Sequence, residues 1–288
     1  MCMKSVLFER YNPIVPTLYY ISVVLIVSLN LHPFTLIASL VGAVCCGVLA
    51  CRKDILKYAI GGIPFVLIVA IINVATNHRG ETILFYLNSN PITLQSIVYG
   101  LVLGTLYLTI ILWCLSMSRV LTSDRLLVVT GYFSPEVSLV ISMAMRFIPK
   151  YKAKLNEIFY AQKCMGNGLD TANILKKVTI SVNCISILIT WALENALETA
   201  DSMKCRGFGS SPHRTAYHPI RFKRLDVILL VAIVLLDVVI ISTYSSVKYS
   251  YDTHIYVSMN PKVYIFTIAY GILCILPTIL TIKEFQKW

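Results

Sequence analysis

Charge is scarce in this chain: 14% of its 288 residues are Asp, Glu, Lys or Arg, against about 25% in an ordinary soluble domain. Neither G-x-x-x-x-G-K-[ST] nor G-x-G-x-x-G occurs, so the sequence holds no recognisable cradle for nucleotide phosphates, and any ATP-driven process must bind its ATP on another chain. The nine cysteines include the adjacent Cys45 and Cys46 but no C-x-x-C. A zinc site and a disulfide framework are therefore not expected, and small buried hydrophobes are the expected role. The five histidines are scattered, and His213 and His218 stand five apart on a Pro-broken segment rather than on one helical face. With no nucleophile beside a base and no metal cluster, no catalytic, cofactor or metal site is expected. The first apolar stretch lacks a following A-x-A site and is longer than a signal-peptide core, so it is expected to be retained.

Apolar residues fill the space that charge leaves. They make up 57% of the chain, and the mean hydropathy is +0.74. Such a composition belongs to an integral membrane protein. The formal charge of +11 and pI near 9.2 accompany no nucleic-acid-binding motif, so they are read as positive-inside loops against anionic lipid, with no nucleic-acid partner.

A span needs about 20 mostly apolar residues. Candidates lie at residues 14–31, 34–50, 56–76, 92–118, 225–245 and 262–282, which makes about six spans, the first two parted only by His32 and Pro33 as in a tight helical hairpin. With both termini in the cytoplasm, only Arg79, Lys248 and Lys262 of the 25 Lys and Arg residues fall outside. That asymmetry sets the expected orientation.

Between the fourth and fifth spans lies a basic region too long for a simple loop. From Val137 to Phe159 apolar residues recur with helical spacing among Arg146, Lys150, Lys152 and Lys154, which predicts an amphipathic helix bent near Pro149. Arg146 lies one turn before that proline. The pair either sets the angle between two halves of the helix or is a snorkelling arginine beside an ordinary proline. A second helix is predicted from about Ala172 to Lys204; its residues 178–193 are a candidate short span, but Asn183 and the short apolar length favour a helix lying at the membrane interface or packed beneath the bundle. Its Glu194 and Glu198 are read as a solvated or salt-bridged face. Gly166 and Gly207 stand where helix C-caps favour glycine.

These residues carry a resemblance. AMRFIPKYKAKLNEIFYAQKCMG (residues 144–166) and ETADSMKCRGFG (198–209) resemble the coupling region of the transmembrane T component of energy-coupling factor (ECF) transporters, the EcfT/CbiQ family. NHRGETILFYLNSNPITLQSIVYGL (77–101) and NPIVPT (12–17) are similar to its external loop with the following span and to its entry segment, in the same order. The resemblance implies an all-α polytopic membrane protein with a cytoplasmic coupling region of long amphipathic helices. It divides the chain into N-terminal spans (1–118), coupling helices (119–224) and C-terminal spans (225–288). It further implies a non-catalytic scaffold in a bacterial or archaeal plasma membrane. Two cytoplasmic ABC-type ATPases and a small membrane S component that captures a vitamin or metal ion are the implied partners.

In that family, small-Arg-small triplets at the ends of the coupling helices place an arginine in an acidic groove of each ATPase. Cys205, Arg206 and Gly207 match the second triplet. The first departs from it: Cys164, Met165 and Gly166 put an uncharged side chain where the family has arginine, an inequality that hints at two different ATPase partners while leaving identical ones open. Asp237 fits a scaffold least well, since it lies roughly 16 Å into its span at about 1.5 Å per residue. Polar packing is its expected role; the alternative is a stand-alone proton-coupled secondary transporter that uses Asp237, although no inverted repeat accompanies it.

Overall fold

The computed structural model describes residues 11–51, 53–77, 80, 82–87, 90–166, 174–210, 222–244, 249–250, 256–257 and 260–285. His78, Arg79, His213, His218, Lys248 and His254 lie outside the described residues. Nine helices occur among the described residues: α1 (Ile14–Leu29), α2 (Pro33–Cys51), α3 (Lys53–Thr76), α4 (Leu94–Val120), α5 (Ser123–Phe133), α6 (Pro135–Cys164), α7 (Ile174–Cys205), α8 (Arg224–Tyr244) and α9 (Pro261–Phe285). Among the described residues two short antiparallel hairpins, β1 (Ile83–Leu87) with β2 (Asn90–Thr93) and β3 (Tyr249–Ser250) with β4 (Tyr256–Val257), stand between the helices. The chain divides into two compact units, one of Met1–Leu126 with Ile220–Trp288 and one of Leu127–Pro219.

All six expected spans are helices, but they are unequal. Ile55–Thr76, Leu94–Val120, Arg224–Tyr244 and Pro261–Thr281 are long and apolar enough to cross a membrane, while Ile14–Leu29 and Pro33–Leu49 are apolar but shorter. At about 1.5 Å per residue the 16-residue α1 reaches roughly 24 Å, less than a hydrocarbon core of about 30 Å. The shortness of α1 is matched by its burial: Val15, Tyr19, Tyr20 and Val23 are fully enclosed by protein. Ile174–Cys205 also meets the length and apolarity of a span. The interruption expected at Asn183 is too brief to lower the apolar content of a 32-residue helix below that level.

Local chemistry explains where these helices begin. The Asn12 side chain accepts from the Ile14 N–H at 3.1 Å and opens α1, and the Asn30 side chain accepts from the His32 N–H at 2.9 Å before Pro33 starts α2. Thr93 caps α4 by accepting from the Ser96 N–H at 3.3 Å. Asp226 accepts from the N–H groups of Lys223 at 2.9 Å and Asn12 at 3.4 Å, tying the start of α8 to the entry of α1.

The turn between α1 and α2 is tight, but the two do not pack as a hairpin. α1 packs mainly on α4 and α8, and α2 on α4 and α9. A shared aromatic and polar core draws them apart. Tyr19, Tyr20 and Trp113 meet edge to face at centroid separations of 5.3 to 6.1 Å. The Ser39 hydroxyl is shared by the Trp113 indole N–H at 3.0 Å and the Tyr270 hydroxyl at 2.9 Å, and Tyr20 meets Ser116 at 3.1 Å. Inside apolar surroundings such groups must satisfy one another, so the network selects one arrangement of α1, α2, α4 and α9.

Small residues set the closest approach. A Cβ on Gly100 would stand 2.9 Å from the Ala70 Cα, and one on Gly104 would stand 2.9 Å from the Val66 carbonyl oxygen. These glycines, one helical turn apart, let α4 lie against the α3 backbone, as small-xxx-small patterns do in membranes.

Candidate coupling site on the α6–α7 pair

The second compact unit is built on two long helices. α6 begins at Ser134, whose side chain accepts from the Val137 N–H at 3.4 Å, with Pro135 in the first turn, where a missing N–H costs nothing. α6 stays helical through Pro149, which leaves the Met145 carbonyl without its usual donor.

The contacts between the helices fix their direction. Ile158 packs with Ile180 and Cys184, the Tyr151 ring meets Trp191 at 5.8 Å, Lys150 Nζ donates to Asn195 Oδ1 at 2.6 Å, and Arg146 shares a cleft with Arg206. Residue numbers fall along α6 as they rise along α7, so the helices are antiparallel. Lys150 and Lys154 hold their ammonium groups 5.3 and 5.5 Å from the Trp191 ring centre, adding cation–π contacts to an otherwise thin apolar seam.

The two triplets end these helices in the same way. At α7 the Gly207 N–H donates to the Lys204 carbonyl at 2.9 Å and the Phe208 N–H to the Met203 carbonyl at 3.0 Å, with Gly207 at φ +78°. This is the six-to-one and five-to-two pairing of a Schellman cap, and it makes Arg206 the capping residue. At α6 the Gly166 N–H donates to the Lys163 carbonyl at 3.1 Å, Gly166 has φ +82°, and Met165 is the capping residue. Met165 and Arg206 thus occupy equivalent positions, both exposed, each between a cysteine and a left-handed glycine. Because the helices are antiparallel, the two caps lie at opposite ends of the pair, roughly 40 Å apart at about 1.5 Å per residue.

Arg146 stands away from the α6 cap and opposite the α7 cap. Leu139, Ser142, Met143 and Arg146 line one wall of a cleft of about 570 Å³, and Glu198, Thr199, Ser202, Met203 and Arg206 line the other. Sequence alone pairs Arg146 with Pro149 and puts Glu198 on a solvated or salt-bridged face, and the convergence of the two on one cleft is a finding of the structure. The signal was present: 139, 142, 143, 146 and 199, 202, 203, 206 both follow the i, i+3, i+4, i+7 spacing of one helical face.

The cysteines correct an expectation. Cys46, Cys184 and Cys274 are buried, but Cys45, Cys114, Cys164 and Cys205 are exposed. Two of the exposed ones flank the caps, where a small residue lets the backbone turn without being covered. In the other unit Asp237, on α8, is partly buried beside the Ser22 hydroxyl of α1, and its Oδ1 is buried without a partner among the described residues. Ser22 itself donates to the Tyr19 carbonyl at 2.9 Å.

Residues 5–217 match the protein family described as CbiQ, cobalt transport protein. Curated relatives named energy-coupling factor transporter transmembrane protein EcfT align over shorter stretches. The protein from Leuconostoc gelidum subsp. gasicomitatum is 28% identical over 99 residues, covering 34% of this chain and 37% of the relative. Its namesake from Staphylococcus aureus is 29% identical over 105 residues, covering 36% and 39%, and that from Lactobacillus helveticus is 30% identical over 101 residues, covering 35% and 36%. The chain thus spans less than two-fifths of the length of these relatives. Together with the long apolar helices, the family match makes this a multi-pass protein of the cell membrane. The chain belongs to the CbiQ family of cobalt transport proteins.

Proposed function

We propose that this chain is the transmembrane coupling subunit of an ECF-type ABC importer. In this reading it transmits the ATP-driven motion of two cytoplasmic ATPases to a small membrane S component that binds the vitamin or metal ion. The observation that carries the reading is the pair of equivalent caps at opposite ends of an antiparallel helix pair, one centred on Met165 and one on Arg206. Two docking points roughly 40 Å apart, at about 1.5 Å per helical residue, suit two ATPases that move relative to each other, because a rigid pair of helices carries displacement from one end to the other. In this reading residues 119–224 form the coupling region, residues 1–118 and 225–288 lie in the membrane, and both termini face the cytoplasm, a placement the Lys and Arg asymmetry supports. The chain is a non-catalytic part of the machine.

Arg206 is the stronger dock. Its guanidinium can bond a carboxylate bidentately, and Gly207 turns the chain away directly behind it. Truncating one partner of such a desolvated pair costs about 2 to 5 kcal/mol, much of it from the charge left unpaired. Met165 docks without charge, which favours a different ATPase at its end. In the purified complex, Arg206→Glu is expected to release one ATPase while Met165→Ala is milder. Retention of both ATPases in full by the Arg206→Glu variant would contradict the assignment.

A further inference from the structure

The cleft at the Arg206 end holds more than the docking arginine. Arg146 and Arg206 reach it from different helices, and among the described residues neither is in an ion pair. Ser142 and Ser202 add two hydroxyls that bond nothing else among the described residues, whereas the Thr199 hydroxyl is committed to the Asn195 carbonyl at 2.7 Å. Beneath this polar rim Leu139, Met143 and Met203 form a half-buried apolar floor.

Charge and shape together define the occupant. Glu198 lines the same cleft, so the charged groups there sum to a single positive charge, which suits one carboxylate better than a phosphate. The floor suits an aliphatic or aromatic side chain, because methionines adapt their shape to whatever is pressed against them. A polar rim around an apolar floor is the anatomy of a protein–protein hot spot.

We propose that the cleft between α6 and α7 receives an acidic segment of a partner protein: a carboxylate gripped between Arg146 and Arg206, beside an apolar side chain seated on Met143 and Met203. Resting on the docking reading above, the segment belongs to the ATPase bound at Arg206, and Arg146 is a second docking cation on that side alone. The contact is then reciprocal. This chain offers its arginine to the ATPase and also takes an ATPase side chain into its own surface. The Met165 end, with no arginine in its triplet, binds its partner without this grip.

The test uses the whole complex, purified through a tag on this chain, with each ATPase quantified by mass spectrometry. Arg206→Glu and Arg146→Glu are expected to lose the same one ATPase equivalent per chain, each by more than tenfold, while the second ATPase and the S component stay at wild-type ratio. Arg146→Lys, which keeps charge but not the fork, is expected to lose less. Loss on Arg206→Glu with full retention on Arg146→Glu overturns the cleft proposal and leaves the docking reading standing; full retention on both overturns the docking reading as well. To separate docking from folding, benzoylphenylalanine in place of Ser142, with both arginines intact, is expected to photo-crosslink to that ATPase next to an acidic residue. Failure to crosslink in a complex that contains the ATPase overturns the proposal.

Discussion

Gly207→Ala tests whether the α7 cap holds Arg206 in place. Gly207 sits at φ +78°, and among the described residues a Cβ built there meets only the Ser210 hydroxyl at 3.3 Å, so the substitution brings backbone strain with little clash. A left-handed residue with a side chain costs roughly 1 to 2 kcal/mol. That cost falls on the two hydrogen bonds of the cap, from Gly207 to Lys204 and from Phe208 to Met203. A change of 1 to 2 kcal/mol shifts an equilibrium by about 5- to 30-fold. Amide hydrogen exchange of residues 207 and 208 should therefore accelerate by up to that factor, with α7 protection unchanged a few turns back. Gly207→Asn, which tolerates the left-handed region, should do less harm. Unchanged exchange in the alanine variant, or equal damage from asparagine, would refute the cap as the source of order at Arg206.

Other consequences concern the membrane unit. Gly104→Val drives its side chain into the Val66 backbone, whose carbonyl oxygen lies 2.9 Å from the added Cβ, so the thermal midpoint in detergent should fall, while Gly61→Ala, with nothing within 4 Å, should leave packing undisturbed. Trp113→Phe deletes the 3.0 Å bond to Ser39 but leaves Tyr270 on that hydroxyl, so a loss of about 0.6 to 2 kcal/mol is expected in reversible unfolding, against about 3 to 5 kcal/mol for Trp113→Ala. Asp237→Asn should leave ATP-driven uptake near the wild-type rate in proteoliposomes with the whole complex, because Asp237 is polar packing beside Ser22 in this account. Abolished uptake in that variant would restore the secondary-transport alternative.

How much of this was legible in the sequence differs from part to part. The spans were read from length and apolarity, and their boundaries fell within a few residues because Pro33, Thr93 and Asp226 are local start signals. The ends of α6 and α7 were legible for the same reason, since glycine at a left-handed cap is a local requirement. Packing between distant segments was not. Nothing near Ser39 announces that Trp113 and Tyr270 converge on it, and the parting of α1 from α2 follows from that convergence rather than from the turn joining them. The antiparallel pairing of α6 with α7 was likewise hidden. Each helix displayed its stripe, but only the crossing brought Arg146 to Arg206 and gave Glu198 a place beside them. The apolar character of α7 was underread: Ile174 and Leu175 are 81% and 84% exposed in the chain alone, a surface suited to lipid or a partner helix.

The most direct measurement is to tag this chain, extract it gently from its native membrane, and identify by mass spectrometry whatever accompanies it in near-stoichiometric amount. The account predicts one or two P-loop ATPases and a small membrane protein, which would name the substrate. Recovery of this chain alone, stable and competent for uptake in liposomes, would contradict it.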